Sequence, residues 1–434
     1  MITPTDRLIG LAAAGAPVAL VIGVLVPGLW LLPLGWVAAL LVLALYDLAV
    51  MPGALAGEIR VPGAVNVGEA FAVRVAVRGD GAPRRVEAAL AFDARLAAAD
   101  GGTTAVVFAG GAGAADMPVT ALRRGLAAIG ALTLRWQGPL GLVWRQRREM
   151  GVRSLLVTPD VRPVHRESIG LLARDAATGL MAQMQAGAGG EFEALGDFQP
   201  GMDRRRIDWK QSARHVRLVA REYRAERDNH IVLAFDCGRT MCEPVDGVAR
   251  LDRAIAAGLL TAYVALKLGD RVSLFGFDAR PRVAGAALAG VGAFAGLQRL
   301  AGQLDYSADE TNHTLALSAL AARLQRRSLI LLFTEFVDTV SAELMLRSAG
   351  RLLERHVLLC VVMRDAELET LVATRPETPE DMSRAVVAGD LLRERRIVLE
   401  RLRRMGVEVL EAPWQVIGPD LARRYMAAKQ RGQI

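Results

Sequence analysis

Lysine is almost missing from this chain. Only Lys210, Lys267 and Lys429 occur among 434 residues, so the formal charge of +7 and the pI near 9.8 rest almost wholly on arginine. A basic balance favours anionic partners. Outside one central stretch, however, no Lys/Arg-rich block is interleaved with aromatics, which argues against nucleic acid. Cysteine is scarce as well. Cys237, Cys242 and Cys360 are odd in number and lack C-x-x-C spacing, which excludes a disulfide framework and a thiolate metal site and fits buried thiols in a reducing compartment. The five histidines are scattered and suggest no zinc site. G-x-x-x-x-G-K-[ST], G-x-S-x-G and H-E-x-x-H are all absent, so the chain is no P-loop ATPase and carries neither a nucleophile elbow nor a zincin helix. His215 and His230 lie near Asp208 and Ser212 along the chain, but sequence proximity does not make a triad. The expectation is a protein that is not an enzyme.

What the chain does have is length and apolar patterning. With 434 residues there is room for two or three domains and their cores. From Leu8 to Val26 no charge occurs over 19 residues, roughly 28 Å as a helix. Pro27-Gly28 then breaks the run, and Leu29 to Tyr46 is apolar again until Asp47. The pair reads as a transmembrane helical hairpin over 1–50. Its connection carries no charge and Arg7 lies on the other side, which puts the body of the chain in the cytoplasm. Over 55–161, alternation such as Phe71, Val73, Val75 and Val77 against Ala72, Arg74, Ala76 and Arg78, with Gly-rich turns, predicts a small all-β sandwich. From 230 to 434, five apolar runs (Ile231–Phe235, Val272–Phe277, Leu329–Phe333, Val357–Val362, Val407–Leu410) alternate with helical stretches. That pattern predicts an α/β doubly wound sheet. In the last long helix Leu391, Leu392, Val398, Leu399 and Leu402 mark one face, with Arg393, Arg395 and Arg396 placed mostly elsewhere.

The segment 162–229 holds the densest chemistry. Gly189 to Glu222 sets Arg204, Arg205, Arg206, Lys210, Arg214, Arg217 and Arg221 against Asp203, Asp208 and Glu222, with Trp209 in the middle. Such arginines pair internally or hold a partner's carboxylate or phosphate. The candidate motif and partner-binding residues are Glu191, Asp203, Arg206, Asp208, Trp209, Ser212 and Arg214.

The order E-F, L, then F-x-P-G-x-D-x-R-x-I-D-W-K-x-S-A-R resembles the bacterial family known as domain of unknown function 58. The matching residues include Glu191, Phe192, Leu195, Pro200, Gly201, Asp203, Arg206, Ile207, Asp208, Trp209, Ser212, Ala213 and Arg214. The β segment adds a weaker likeness. The family shows a D-P-F-G-L turn where this chain has Gly138-Pro139-Leu140-Gly141-Leu142, so the aspartate is missing. The resemblance implies a membrane-anchored protein with a von Willebrand A-like domain, working with a MoxR-type AAA+ ATPase. It implies an adaptor in the bacterial inner membrane that binds other proteins during assembly or remodelling of complexes, with no nucleic acid involved. The alternative is an enzyme, or a binder of lipid headgroups or other anions, that uses the arginine-rich 203–222 segment.

The resemblance also implies a Mg²⁺ site. Von Willebrand A domains show D-x-S-x-S after the first strand, a later loop Thr and a later Asp. Here Asp236 matches, Thr240 stands for the second Ser, Thr311 matches the loop Thr and Glu335 takes the place of the Asp. Gly238 replaces the first Ser, so the expected site is degraded by one oxygen ligand.

Overall fold

The computed structural model describes residues 1–25, 31–81, 83–177, 191–198, 204, 207–224, 229–336 and 339–434. The chain forms two compact units, 1–158 and 159–434. The helices expected over 1–50 therefore share a unit with the β domain, and the 162–229 segment is part of the second unit.

In the first unit, helices Asp6–Leu25 and Leu31–Val50 pack side by side, and Trp36 Nε1 donates to Leu11 O at 3.2 Å. Eleven strands follow or flank them in a mainly antiparallel sheet. The alternation seen in the sequence places Val73, Val75 and Val77 of strand Ala70–Arg78 in one core with Leu132, Leu134 and Trp136 of strand Gly125–Gln137. The buried Trp136 indole would be an unsatisfied donor in that core, but its Nε1 finds Pro52 O at 3.1 Å.

Among the described residues no helix is long and apolar enough to cross a membrane, which overturns the transmembrane hairpin. The physical reason lies at the charged ends. In the first helix the uncharged part, Leu8–Leu25, is 18 residues, about 27 Å, and Pro17 interrupts it. The second helix gives its last turn to the β domain. Asp47 is fully buried and accepts backbone N–H bonds from Leu140 at 2.8 Å, Leu142 at 2.8 Å and Val143 at 3.2 Å. That leaves Leu31–Tyr46, 16 residues or about 24 Å, against a hydrocarbon core of about 30 Å.

The same contact explains a departure noted in the sequence. A Cβ at Gly138 would lie 2.3 Å from Asp47 Oδ1, so the Asp47 carboxylate fills the place a side chain at 138 would take. The carboxylate missing from the turn is supplied by a helix more than ninety residues earlier.

The second unit is built on parallel strands in the spatial order Arg271–Phe277, His230–Asp236, Ser328–Phe333, Val357–Met363, Glu408–Ala412, with Pro281–Ala284 antiparallel at one edge. Numbered along the chain this is 2-1-3-4-5, the doubly wound order whose switch point falls between the first and third strands. Helices cover both faces and bury two separate cores, one containing Leu233, Phe235 and Phe333 and the other Val232, Ile330 and Leu332. The strands are apolar on both sides for that reason.

Arg395 departs from the expected helix face. In helix Pro379–Arg404 it points inward with Val398, Leu399 and Leu402 and is only 7% exposed. The same helix starts well before Leu391, the first residue of the expected face, at a capping box between Thr378 and Asp381 with Pro379 following the cap.

Removing the Asp47 carboxylate orphans three backbone donors in a closed site. Asp47→Ala is expected to destabilise the protein by about 3 kcal/mol. Asp116→Ala, which breaks only the exposed pair with Arg74, should leave stability nearly unchanged. Denaturant unfolding of the full chain measures both.

Candidate functional site

Asp236 ends the strand His230–Asp236, and Thr334 lies just past the end of the strand Ser328–Phe333. These are the two strands on either side of the switch point, where loops diverge and leave a crevice. The Asp236 side chain is 1% exposed, and both of its oxygens are engaged. Oδ1 accepts from Gly238 N at 2.9 Å and from Thr311 Oγ1 at 2.6 Å; Oδ2 accepts from Thr334 Oγ1 at 2.7 Å. Since the Thr334 proton goes to Asp236, Thr334 Oγ1 accepts from His313 Nε2 at 3.0 Å, which assigns the proton to that ring nitrogen. One buried carboxylate thus ties together the loops after the first strand, before helix His313–Arg323 and after the third strand.

Backbone bonds reinforce the junction. Arg239 N donates to Asp309 O at 3.0 Å and Asn312 N to Asp278 O at 3.0 Å. At the rim Arg282 pairs with Asp278 at 2.7 Å and Asp309 at 3.4 Å, and Arg239 reaches Glu310 at 3.4 Å. Asp278 is itself buried, whereas the Arg282–Asp309 and Arg239–Glu310 pairs are exposed, and exposed pairs contribute little to stability but present charge to a partner.

Of the expected metal residues, the structure brings Asp236 and Thr311 together. It does not bring Glu335 to them. Successive residues past a strand end point to opposite sides, so Thr334 faces Asp236 while Glu335 turns away. Glu335 lies 3.4 Å from Arg395 Nη2 and 3.7 Å from Arg250 Nε. Arg250 also reaches Asp365 at 3.2 Å and the Thr240 carbonyl at 3.2 Å. Among the described residues, the Thr240 hydroxyl makes no hydrogen bond to Asp236.

The Gly238 position also has a steric cause. A Cβ there would lie 2.1 Å from Thr311 Oγ1, so the threonine hydroxyl fills the space a serine would need. These residues do not fit Mg²⁺. Among the described residues Asp236 is the one expected carboxylate at the crevice, and both its oxygens already accept from protein donors, whereas Mg²⁺ demands near-octahedral oxygen ligation. The residues that sequence reasoning missed are Thr334, His313, Arg250 and Arg395. Thr334 was legible as the partner of alternation at Glu335. Two arginines 145 positions apart carried no local signal.

Burial pushes the Glu335 carboxyl up from its ordinary value, and attraction by Arg395 and Arg250 only partly opposes this. Cys360, fully buried on the neighbouring strand, has its thiol pushed up by the same cause.

In the arginine-rich segment, strands Glu191–Asp197 and Val219–Arg224 form a hairpin around the short helix Trp209–His215. Asp208 caps that helix, accepting from Lys210 N and Gln211 N at 3.1 Å each. The Ser212 hydroxyl bonds both Val219 N at 2.9 Å and Val219 O at 3.3 Å. Asp208 and Ser212 therefore build the segment. Trp209 stays 68% exposed, and Lys210 and Arg214 are exposed beside it. Glu191 stands opposite Arg224 in the strand register. Asp203 and Arg206 lie outside the described residues. His230 joins neither Asp208 nor Ser212 in a triad; its ring nitrogens meet Ser328 Oγ at 3.0 Å and Ser273 Oγ at 2.9 Å.

Comparison with known proteins gives one family match. Residues 195–388 match the model described as "Protein of unknown function DUF58". No curated protein matches. Solved structures give distant likenesses. The conserved hypothetical protein BatB from Bacteroides thetaiotaomicron is 10% identical, with 46% of this chain and 98% of that one covered and a TM-score of 0.27. A cohesin module from a Clostridium perfringens family 33 glycoside hydrolase is 14% identical over 24% of this chain and 98% of its own, with a TM-score of 0.18. Proximal thread matrix protein 1 of the mussel byssus is 9% identical over 46% of each chain, with a TM-score of 0.26.

Asp236→Ala leaves two hydroxyls and a backbone N–H without their acceptor and is expected to lower stability by about 2–4 kcal/mol. The loss should be equal with and without millimolar Mg²⁺. A Mg²⁺-dependent rise in the wild-type melting temperature that the variant lacks contradicts the closed cluster. For Glu335, a carboxyl raised in the folded state holds extra protons there, so its contribution to stability is lost as pH rises through the elevated value. Glu335→Gln should therefore gain stability relative to the wild type as pH rises from about 4.5, the ordinary glutamate value, to neutrality, followed by urea unfolding across that range.

Proposed function

The chain carries a DUF58 region, and from that premise we propose that it is a protein-interaction adaptor at the bacterial inner membrane. Its α/β domain serves as a von Willebrand A-like recognition module facing the cytoplasm, and its partner is a MoxR-type AAA+ ATPase engaged in assembling or remodelling protein complexes. The observation that carries this reading is the use of Asp236. The carboxylate sits at the switch-point crevice, where α/β sheets meet their ligands, and both its oxygens hold loops in place, with His313 bonded to Thr334 behind them. Such a crevice shapes a surface, and the charges around it (Arg239, Glu310, Arg282, Asp309) give that surface specificity.

The membrane attachment rests on the first two helices. Leu20, Val24, Val42 and Leu45 are 64–72% exposed, large apolar side chains left in water on two helices that pack together. This surface seats the chain at the membrane without requiring a span. Family association supplies the ATPase, and the closed Asp236 cluster makes its capture independent of divalent cations.

Affinity capture of the tagged full-length protein from native membranes tests the reading. A co-purifying AAA+ ATPase is expected, retained in chelator and reduced at least tenfold by joint Arg239→Ala and Glu310→Ala substitution. Capture of no ATPase, or equal capture by the variant, removes the proposal.

A further inference from the structure

Two exposed apolar surfaces of the second unit carry opposite charge. The first is a helical arm. Helix Ala366–Ala373 has no buried residue, and helix Pro379–Arg404 buries nothing before Ala388. The two meet each other where Gly389 approaches Val372. Leu371, Val372, Met382, Val386 and Val387 are 41–59% exposed, with Met382 and Val386 one turn apart. The arm is nonetheless well formed. Asp365 caps its first helix through Leu368 N at 3.1 Å, and Thr378 and Asp381 make a reciprocal capping box on the second. A capped element that leaves its apolar residues in water is pre-organised for a partner outside its own unit. Residues 365–390 carry seven acidic side chains and two basic ones.

The second surface is the arginine-rich hairpin. Trp209 is 68% exposed, Val216 92% and Leu218 48%. Val216 holds a left-handed φ of 52°, an uncommon conformation for a β-branched residue, and it turns the chain so that the valine projects. Among the described residues, 204 and 207–218 carry four basic side chains, Arg204, Lys210, Arg214 and Arg217, and one acidic, Asp208. The two surfaces thus bear net charge of opposite sign around apolar centres of similar make-up. Exposed tryptophan with arginine is the composition of interface hot spots.

We propose that the acidic arm of one copy of this chain docks on the Trp209 hairpin of another. Neither surface covers the other within one copy, since both stand exposed. An anionic membrane surface repels the arm, which leaves a basic, apolar protein surface as its complement, and this chain supplies one. The contact joins unlike surfaces. Two copies close as a pair if they exchange arms, and otherwise the contact continues from copy to copy as a ring or a row. The inference does not depend on the ATPase reading, because it uses neither the Asp236 loops nor their charges.

Charge exchange between two differently tagged full-length copies, solubilised in mild detergent, tests it. Wild-type copies should capture one another at micromolar concentration, less well as salt rises. Lys210→Glu with Arg214→Glu should weaken capture at least tenfold, as should Glu367→Lys with Glu377→Lys in the arm. Trp209→Ala should weaken it comparably. Mixing the two charge-reversed variants restores complementary surfaces and should recover capture to near the wild-type level. Wild-type copies that do not capture one another, or reversed variants that capture as well as wild type, overturn the proposal. So does a mixture that fails to recover, which would leave the arm and hairpin as sites for different proteins.

Discussion

The buried carboxylate of Asp236 is the constraint on which the site depends. It lies at the end of the central strand, removed from water, and its charge is balanced by oriented dipoles: one backbone N–H and two hydroxyls, the second backed by His313. An ionised carboxylate in such a place is expensive unless all its acceptor sites are answered. Answering them draws three loops from distant parts of the chain to one point. Backbone bonds from Arg239 N to Asp309 O and from Asn312 N to Asp278 O fasten the same loops, so the shape of the crevice follows from that side chain and these bonds together.

The same physics recurs in the first unit, where Asp47 organises the turn at 138–143 from a helix remote in sequence. In both places a glycine, 138 or 238, leaves room for a group arriving from elsewhere, a carboxylate in one case and the Thr311 hydroxyl in the other. Glu335 solves its burial differently, between Arg250 and Arg395. Those two guanidinium groups link helices Arg250–Lys267 and Pro379–Arg404 to the strand ends. The site therefore has two neighbouring electrostatic centres, one closed by hydroxyls and one by arginines. A cation bridging them must first break one set of these bonds.

Much of this fold is legible along the chain where the signal is local. The five two-sided apolar runs are strands within a residue or two, as Ile231–Phe235 against His230–Asp236 illustrates. The misread positions are those decided by distant partners. Hydropathy marks the first two helices but not that Asp47 and the residues around it belong to the β domain. Helical periodicity places Arg395 with its neighbours Arg393 and Arg396; Glu335, sixty positions earlier, with the Met363 carbonyl and Glu411, accounts for its burial. A family pattern aligns Glu335 with a metal ligand, while strand alternation hands the Asp236 contact to Thr334. Helix Ala366–Ala373 is short and acidic, and its apolar positions Leu368, Leu371 and Val372 span too few turns to stand out.

The central claim is that this crevice recognises protein through a surface held by protein hydrogen bonds alone. Binding of the captured partner to immobilised full-length protein, measured in the presence of excess chelator and compared between wild type and Asp236→Ala, tests it most directly. The account predicts that chelator leaves wild-type affinity unchanged while the substitution lowers it at least tenfold. Release of the partner by chelator, or full binding by the variant, would contradict it.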